Sequence, residues 1–377
     1  MSASLAAGPR QVAEVRDLAA ELAALTTRPW TLMEVCGGQT HAIVRWGLDQ
    51  LLPPGLRLIH GPGCPVCVTE AATIDAALAL ARRPEVILCS YGDMLRVPGS
   101  SDPDGTAGDL LGVRAAGGDV RLLTSPLEAL ALARRHPGRQ VVFLAVGFET
   151  TAPATALLVR QAMAAGVANL SLLPAHVRVP PAMEAILSAE GNQVQGFLAA
   201  GHVCAVMGTG ELQQLAERHR VPVVVSGFEP VDLMRGLVAC VGQLERGEAR
   251  VANAYGRVVR PEGNPVAREL LTSVFEAVDR PWRGFGVIPG GGLGLRAPCR
   301  GLEAAARFGL AAAGSASPSL AVAPESVCIS GRILQGRASP LDCPAFGSGC
   351  TPEHPLGAPM VSSEGACAAY HRYRRRG

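Results

Sequence analysis

The segment QVVFLAVGFETTAPATALLVRQAMAAG, residues 140–166, sets the fold class. After Gln140 its first half is an unbroken apolar, β-branched run up to Glu149 and Thr150. A strand without polar alternation is buried on both faces, as in a parallel sheet covered by helices. The second half, from Ala152 to Gly166, carries apolar residues at helical spacing. The same grammar recurs on either side. PEVILCSYGD (84–93), NLSLLPA (169–175), VPVVVSGFEP (221–230) and the shorter WTLMEV (30–35) read as buried strands. TIDAALALARR (73–83) and SPLEALALARRH (125–136) read as helices. Strands alternating with helices predict an α/β protein built on parallel sheets.

Polar residues gather where strands end: Asp93, Glu149, Thr150 and Glu229. In open α/β sheets that is where ligands bind, and it is equally where the next helix is capped. His176 and His202 also fall at strand ends, either lining a cleft or serving as satisfied structural histidines. Beyond residue 240 the periodicity fades. LERGEARVANAYGRVVRPEGN (244–264) still reads as helical, GGGLG (290–294) as a turn, and the rest as a tail rich in Gly, Pro and Ser.

Length and composition limit the function classes. A chain of 377 residues exceeds one ordinary core, so two or three domains are expected. With 34 basic and 32 acidic residues the net charge is +2, which argues against nucleic acid and anionic membranes as partners. The basic end YHRYRRRG reads as a short solvated tail. No apolar run reaches the length of a membrane span. The N-terminus reads as an alanine-rich amphipathic helix, not a signal peptide, so a cytoplasmic location is expected. In a reducing compartment the eleven cysteines point to metal binding or redox chemistry.

Three cysteine groups stand out. Cys328, Cys343, Cys350 and Cys367 are spaced C-x14-C-x6-C-x16-C in a Gly/Pro-rich context. Four thiolates suit zinc or a [4Fe–4S] cube, and the lack of close Cys-x2–4-Cys knuckles favours iron–sulfur. GPGCPVCVT (61–69) holds Cys64 and Cys67 in a Cys-x-x-Cys pair, which reads as a redox-active dithiol, with a zinc half-site or a plain turn as alternatives. Cys36, in MEVCGGQTHA, ends a strand before two glycines, Thr40 and His41. A thiol so placed suits a nucleophile or a soft-metal ligand, with His41 able to lower its pKa or shuttle protons. Cys89 and Cys240 lie in apolar runs and read as core.

The stretches MEVCGGQTHAIVRWG, HGPGCPVCVT, YGDMLRVPGS, GFETTAP, GFLAAGHVCAVMG, WRGFGVIP and CTPEHPLGAPMVSSEGACAAY occur in this order. Together they resemble the HypD family of [NiFe]-hydrogenase maturation factors over residues 30 to 372. The resemblance implies two parallel-sheet α/β domains facing a cleft, plus a C-terminal iron–sulfur region. On this chain that gives an N-terminal helix (1–30), domain I (31–136) with Cys36 and the Cys64/Cys67 motif, domain II (137–240), and a helical and irregular [4Fe–4S] domain (241–377). It further implies a scaffold and redox protein on which an Fe(CN)2CO unit is assembled. A HypC-like small chaperone would be its partner, a HypE-like protein its cyanide donor, and the hydrogenase large subunit would be reached through the chaperone. The iron-binding thiol falls on Cys36, with His41 beside it. The dithiol falls on Cys64 and Cys67, and the cluster ligands on Cys328, Cys343, Cys350 and Cys367. Gln39 stands where the family reads His, Glu70 where it reads Pro, and Ser330 and Pro359 where further cysteines are common. The last two departures leave one set of four thiols, and the first removes a proton carrier beside Cys36. Whether such a scaffold is an enzyme stays open. The competing reading is a stand-alone iron–sulfur dithiol/disulfide oxidoreductase, which needs Cys64, Cys67 and the cluster but not Cys36.

Overall fold

A computed structural model describes residues 9–100, 108–310 and 327–374. In chain order its strands are β1 (Trp30–Glu34), β2 (Leu56–His60), β3 (Val86–Ser90), β4 (Val120–Leu122), β5 (Gln140–Gly147), β6 (Leu170–His176), β7 (Gly196–Ala200), β8 (Val223–Ser226), β9 (Val251–Asn253), β10 (Phe275–Trp282) and β11 (Gly286–Leu295). The first sheet runs β2-β1-β7-β8-β9 and the second β4-β3-β5-β6, with all neighbours parallel. β10 and β11 form an antiparallel hairpin.

Why the strands read as continuous apolar runs is visible in the packing. Along β5, Val141, Phe143 and Ala145 enter one core, and Val142, Leu144 and Val146 the opposite one. Along β1 and β7, Leu32 and Leu198 face the helix Pro230–Glu245 side, whereas Met33 and Phe197 face the other core. The two-residue period of a strand therefore delivers apolar side chains to both faces. Helix ends follow local chemistry. Gly47, at φ 64, closes the helix Gly37–Trp46. Asn264 accepts from the N–H of Ala267 to start the helix Pro265–Val274, with Pro265 in its first turn. Cys89 and Cys240 are core residues, as expected.

Several expectations are corrected. Blocks 31–136 and 137–240 do not follow the sheets. The first sheet takes β1 and β2, then resumes with β7, β8 and β9, and all four strands of the second sheet lie between them in sequence. The 136/137 division falls between β4 and β5, inside the second sheet. Hydrophobic period reveals a strand but not its neighbour. Nor is 241–377 one unit: β9 completes the first sheet, and β11 packs on β6 of the second. The 244–264 stretch is not helical. The helix Pro230–Glu245 stops before Gly247, whose φ is 66, and β9 follows. The GGGLG run lies within β11, not in a turn. A Cβ on Gly292 would come 2.2 Å from Arg280 Nε, so the glycine leaves room for that side chain to cross the hairpin. Arg280 then reaches Pro174 O and Leu293 O. The N-terminal helix is Pro9–Leu25, packed on Pro230–Glu245, and Trp30 already belongs to β1.

Phe143 is fully buried at the centre of the second sheet. Phe143→Ala is expected to cost about 3–5 kcal/mol, read as a lower urea midpoint with an unchanged slope.

Candidate functional site

The order β2-β1-β7 makes β1 and β7 the point where the chain leaves the first sheet in opposite directions. Such a switch point opens a crevice at the carboxyl ends of the two strands. Cys36 follows β1 and His202 follows β7, and Cys36 Sγ lies 3.6 Å from His202 Nδ1. Cys36 is extended, at φ −151 and ψ 118, and precedes the helix Gly37–Trp46. The N–H groups of Gln39 and Gly38 face its sulfur and favour the thiolate, although neither closes a full capping bond. Burial outweighs them and, with Glu34 and Glu364, drives the thiol pKa far up. Burial also pushes His202 down to about 4, leaving a neutral imidazole beside a protonated thiol.

Glu34 organises this corner. Fully buried, it accepts from Cys36 N at 2.9 Å through Oε2. Its Oε1 meets His60 Nδ1 at 2.7 Å and accepts from Thr40 Oγ1. The loop after β2 is stitched to the same place, because Gly61 N donates to Glu34 O and Gly37 N to Gly63 O. A Cβ on Gly63 would lie 2.2 Å from the Cys36 backbone nitrogen, so only glycine fits there. Directly after it, Cys64 and Cys67 are joined as a disulfide across the short helix Pro65–Val68. Both line a small cavity with Thr40, His60, Gly63 and Glu364.

His41, the fifth residue of the helix Gly37–Trp46, meets Tyr373 OH through its Nε2 at 3.1 Å. The imidazole that reaches the thiol is His202, which the sequence placed only at a strand end. His176 is buried and neutral, its pKa down to about 3, with Thr155 Oγ1 3.3 Å away. Gln39 takes no part as a proton carrier. It is fully buried, and its Nε2 donates to Ala199 O, Ser226 O and Gly227 O at the ends of β7 and β8.

The second sheet has its own switch point between β3 and β5. Here Asp93 Oδ2 accepts from Ser362 Oγ at 2.9 Å. Glu149 caps a helix other than the next one, accepting from Val179 N at 3.0 Å at the start of Val179–Leu187. Its Oε2 is buried with no partner among the described residues. Glu229 is exposed before the helix Pro230–Glu245 and makes no capping bond.

The four C-terminal cysteines could hold a cluster. Cys343, Cys350 and Cys367 share one apolar pocket with Ile333, Phe346 and Met360. Cys367 is raised by burial and further by Cys328, Cys350 and Cys343, so the other three thiols lie within its electrostatic reach. Leu356 N–H points to Cys350 Sγ at 3.3 Å, the kind of backbone bond that stabilises cluster thiolates. A Cβ on Gly357 would lie 2.8 Å from Cys328 Sγ, so the backbone wraps closely at that thiol. Among the described residues no three His, Cys, Asp or Glu side chains converge on a point that would hold a single ion. Four thiols are the donor type that an iron–sulfur core takes.

The family profile of HypD, described as hydrogenase formation hypA family, matches residues 13–374. The chain belongs to the HypD family. HypD relatives confirm the span. The hydrogenase maturation factor HypD of Rhodobacter capsulatus is 46% identical over 365 residues, 96% of this chain and 94% of its own. The hydrogenase expression/formation protein HupD of Azotobacter chroococcum is 46% identical over 97% of this chain and 96% of its own. Hydrogenase maturation factor HypD of Escherichia coli is 42% identical over 97% and 96%. A general role in hydrogenase formation follows from membership of HypD. Among the described residues no helix is long and apolar enough to cross a membrane.

Two predictions arise from this geometry. Gly63→Ala drives a methyl group into the Cys36 backbone, which cannot move without shifting β1. It is expected to lower stability by about 1–3 kcal/mol or more, seen as a lower melting temperature. For Glu149, burial raises the carboxyl from 4.5 to about 7. The fold therefore favours the neutral form. That stabilisation is complete below 4.5 and is lost as pH rises through about 7. Glu149→Gln stays neutral throughout. The stability difference between pH 5 and pH 8, measured by urea titration, should shrink by about 2–3 kcal/mol relative to the parent.

Proposed function

We propose that this chain is a scaffold on which the iron of [NiFe]-hydrogenase acquires cyanide and carbon monoxide. Iron, as the cargo, is held by Cys36. A HypC-like chaperone shares the site, a HypE-like protein delivers cyanide, and the large subunit receives the product through the chaperone. The observation that carries this reading is the position of Cys36 Sγ at the β1/β7 switch point, against His202 and on the loop stitched to the Cys64–Cys67 disulfide. A soft thiolate at the floor of a water-poor crevice suits iron bearing cyanide.

Each group then has a task. Glu34 fixes the backbone at Cys36, and His202 orients its sulfur. Cys328, Cys343, Cys350 and Cys367 would hold a [4Fe–4S] cluster, which when bound supplies single electrons. Cys64 and Cys67 store two: their disulfide takes up two electrons and two protons and opens to two thiols. The shared cavity of this pair with Glu364 lies on the C-terminal segment that leads to Cys367. A stand-alone reductase would leave the ordered surroundings of Cys36 without a use.

The deciding experiment is infrared spectroscopy of the anaerobic complex with its chaperone. Cys36→Ser is expected to abolish the cyanide and carbonyl stretches while iron and sulfide at the C-terminal cysteines stay at the parental level. Full-strength stretches in Cys36→Ser would overturn the reading.

A further inference from the structure

The C-terminal helix Ala366–Tyr373 carries Cys367 and, at successive three-residue steps, Tyr370 and Tyr373. The Tyr370 ring packs against the apolar cluster that holds Cys343, Cys350 and Cys367. Both hydroxyls reach across to the Cys36 corner. Tyr370 OH lies 3.1 Å from His60 Nε2, with the rings edge-on at 5.5 Å. His60 Nδ1 in turn meets Glu34 Oε1, whose other oxygen accepts from Cys36 N. Tyr373 OH lies 3.1 Å from His41 Nε2, again edge-on, at 5.1 Å. His41 stands on the helix that begins directly after Cys36. The C-terminal helix and the Cys36 helix pack along this line. The two phenols thus hold the Cys36 corner from two sides, through β2 and through its own helix.

We infer that Tyr370 and Tyr373 are positioning residues that latch the cysteine-bearing C-terminal helix onto the Cys36 loop, so that ordering of the four C-terminal thiols fixes the geometry at Cys36. This deepens the scaffold reading and rests on it for the roles of the two cysteine groups. The physical basis is that one short helix has two masters. Cys367 ties it to the other three thiols, and the two tyrosines tie it to Glu34 and to the Cys36 helix. Loosening the first tie loosens the second. Cys36 is about 1% exposed, so a reagent reaches it only when this corner opens. Its labelling rate therefore reports the latch.

The test uses the full chain under anaerobic conditions, with iodoacetamide as the probe and mass spectrometry of the Cys36 peptide as the readout. Tyr370→Phe and Tyr373→Phe each delete one hydroxyl and keep the ring. Each should raise the Cys36 labelling rate about five-fold, the typical worth of one hydrogen bond, and the double variant on the order of 25-fold. Iron and sulfide per chain should not change. Labelling of Cys240, buried on the helix Pro230–Glu245 that covers the first sheet, should not change either and guards against global unfolding. Chelation of iron from the parent should raise Cys36 labelling to a similar degree and add little in the double variant, as expected for one shared element. Parental labelling of Cys36 in the double variant would overturn the inference, and so would a rise matched at Cys240. A parent that carries no iron would sink the cluster assignment instead, and the tyrosine variants would still decide the latch.

Discussion

A fully buried carboxylate, Glu34, is the constraint on which the thiol end of the first sheet depends. A charge removed from water must be met by donors, and here Cys36 N, Thr40 Oγ1 and His60 Nδ1 supply them. Those three donors come from the strand–helix junction, from the helix itself and from the neighbouring strand. Satisfying one side chain therefore fixes three pieces of backbone at once. The same negative charge helps to keep the Cys36 thiol protonated. A cation brought to the sulfur would reverse that balance.

What the sequence makes legible follows from burial. β3, β5, β6 and β8 announce themselves because both faces are apolar, and inside them only Ser171 of β6 breaks the apolar run. β2 is an edge strand with Arg57 exposed, and β7 has Gly or Ala at all but Phe197 and Leu198, so neither gives a comparable signal. Cys36 can be singled out because a thiol followed by two glycines at a strand end is unusual in composition alone. Its neighbours cannot. Glu34 looks like an ordinary residue of WTLMEV, and His202 meets Cys36 only because β7 pairs with β1 across 166 positions. The hairpin β10–β11 is hidden by its glycines, of which Gly292 makes room for Arg280 instead of forming a turn.

Gln39 shows how a departure from a family motif can be read physically. An amide has two hydrogens on nitrogen, and here three carbonyls from the ends of β7 and β8 surround them. Its carbonyl oxygen is buried with no partner among the described residues. The orientation is fixed all the same, because the reverse amide would set oxygen against three oxygens. Gln39 thus ties the start of the Cys36 helix to the two strands beside it. An uncharged side chain can do this in a place too dry for an imidazolium.

The interleaving of the two sheets has a consequence for biosynthesis. As the chain leaves the ribosome, β1 and β2 appear first but have no β7 to join, and a lone pair of short strands does not persist in water. The second sheet, contiguous in sequence, can finish while they wait. The usual rule that the N-terminal unit folds first is then reversed. The first sheet closes only after β9 has emerged, and the four C-terminal cysteines come later still. Cys36 is made well before β7 and β9, yet its pocket is closed only after them. A nascent chain would present this thiol in the open, and only a finished one would enclose it.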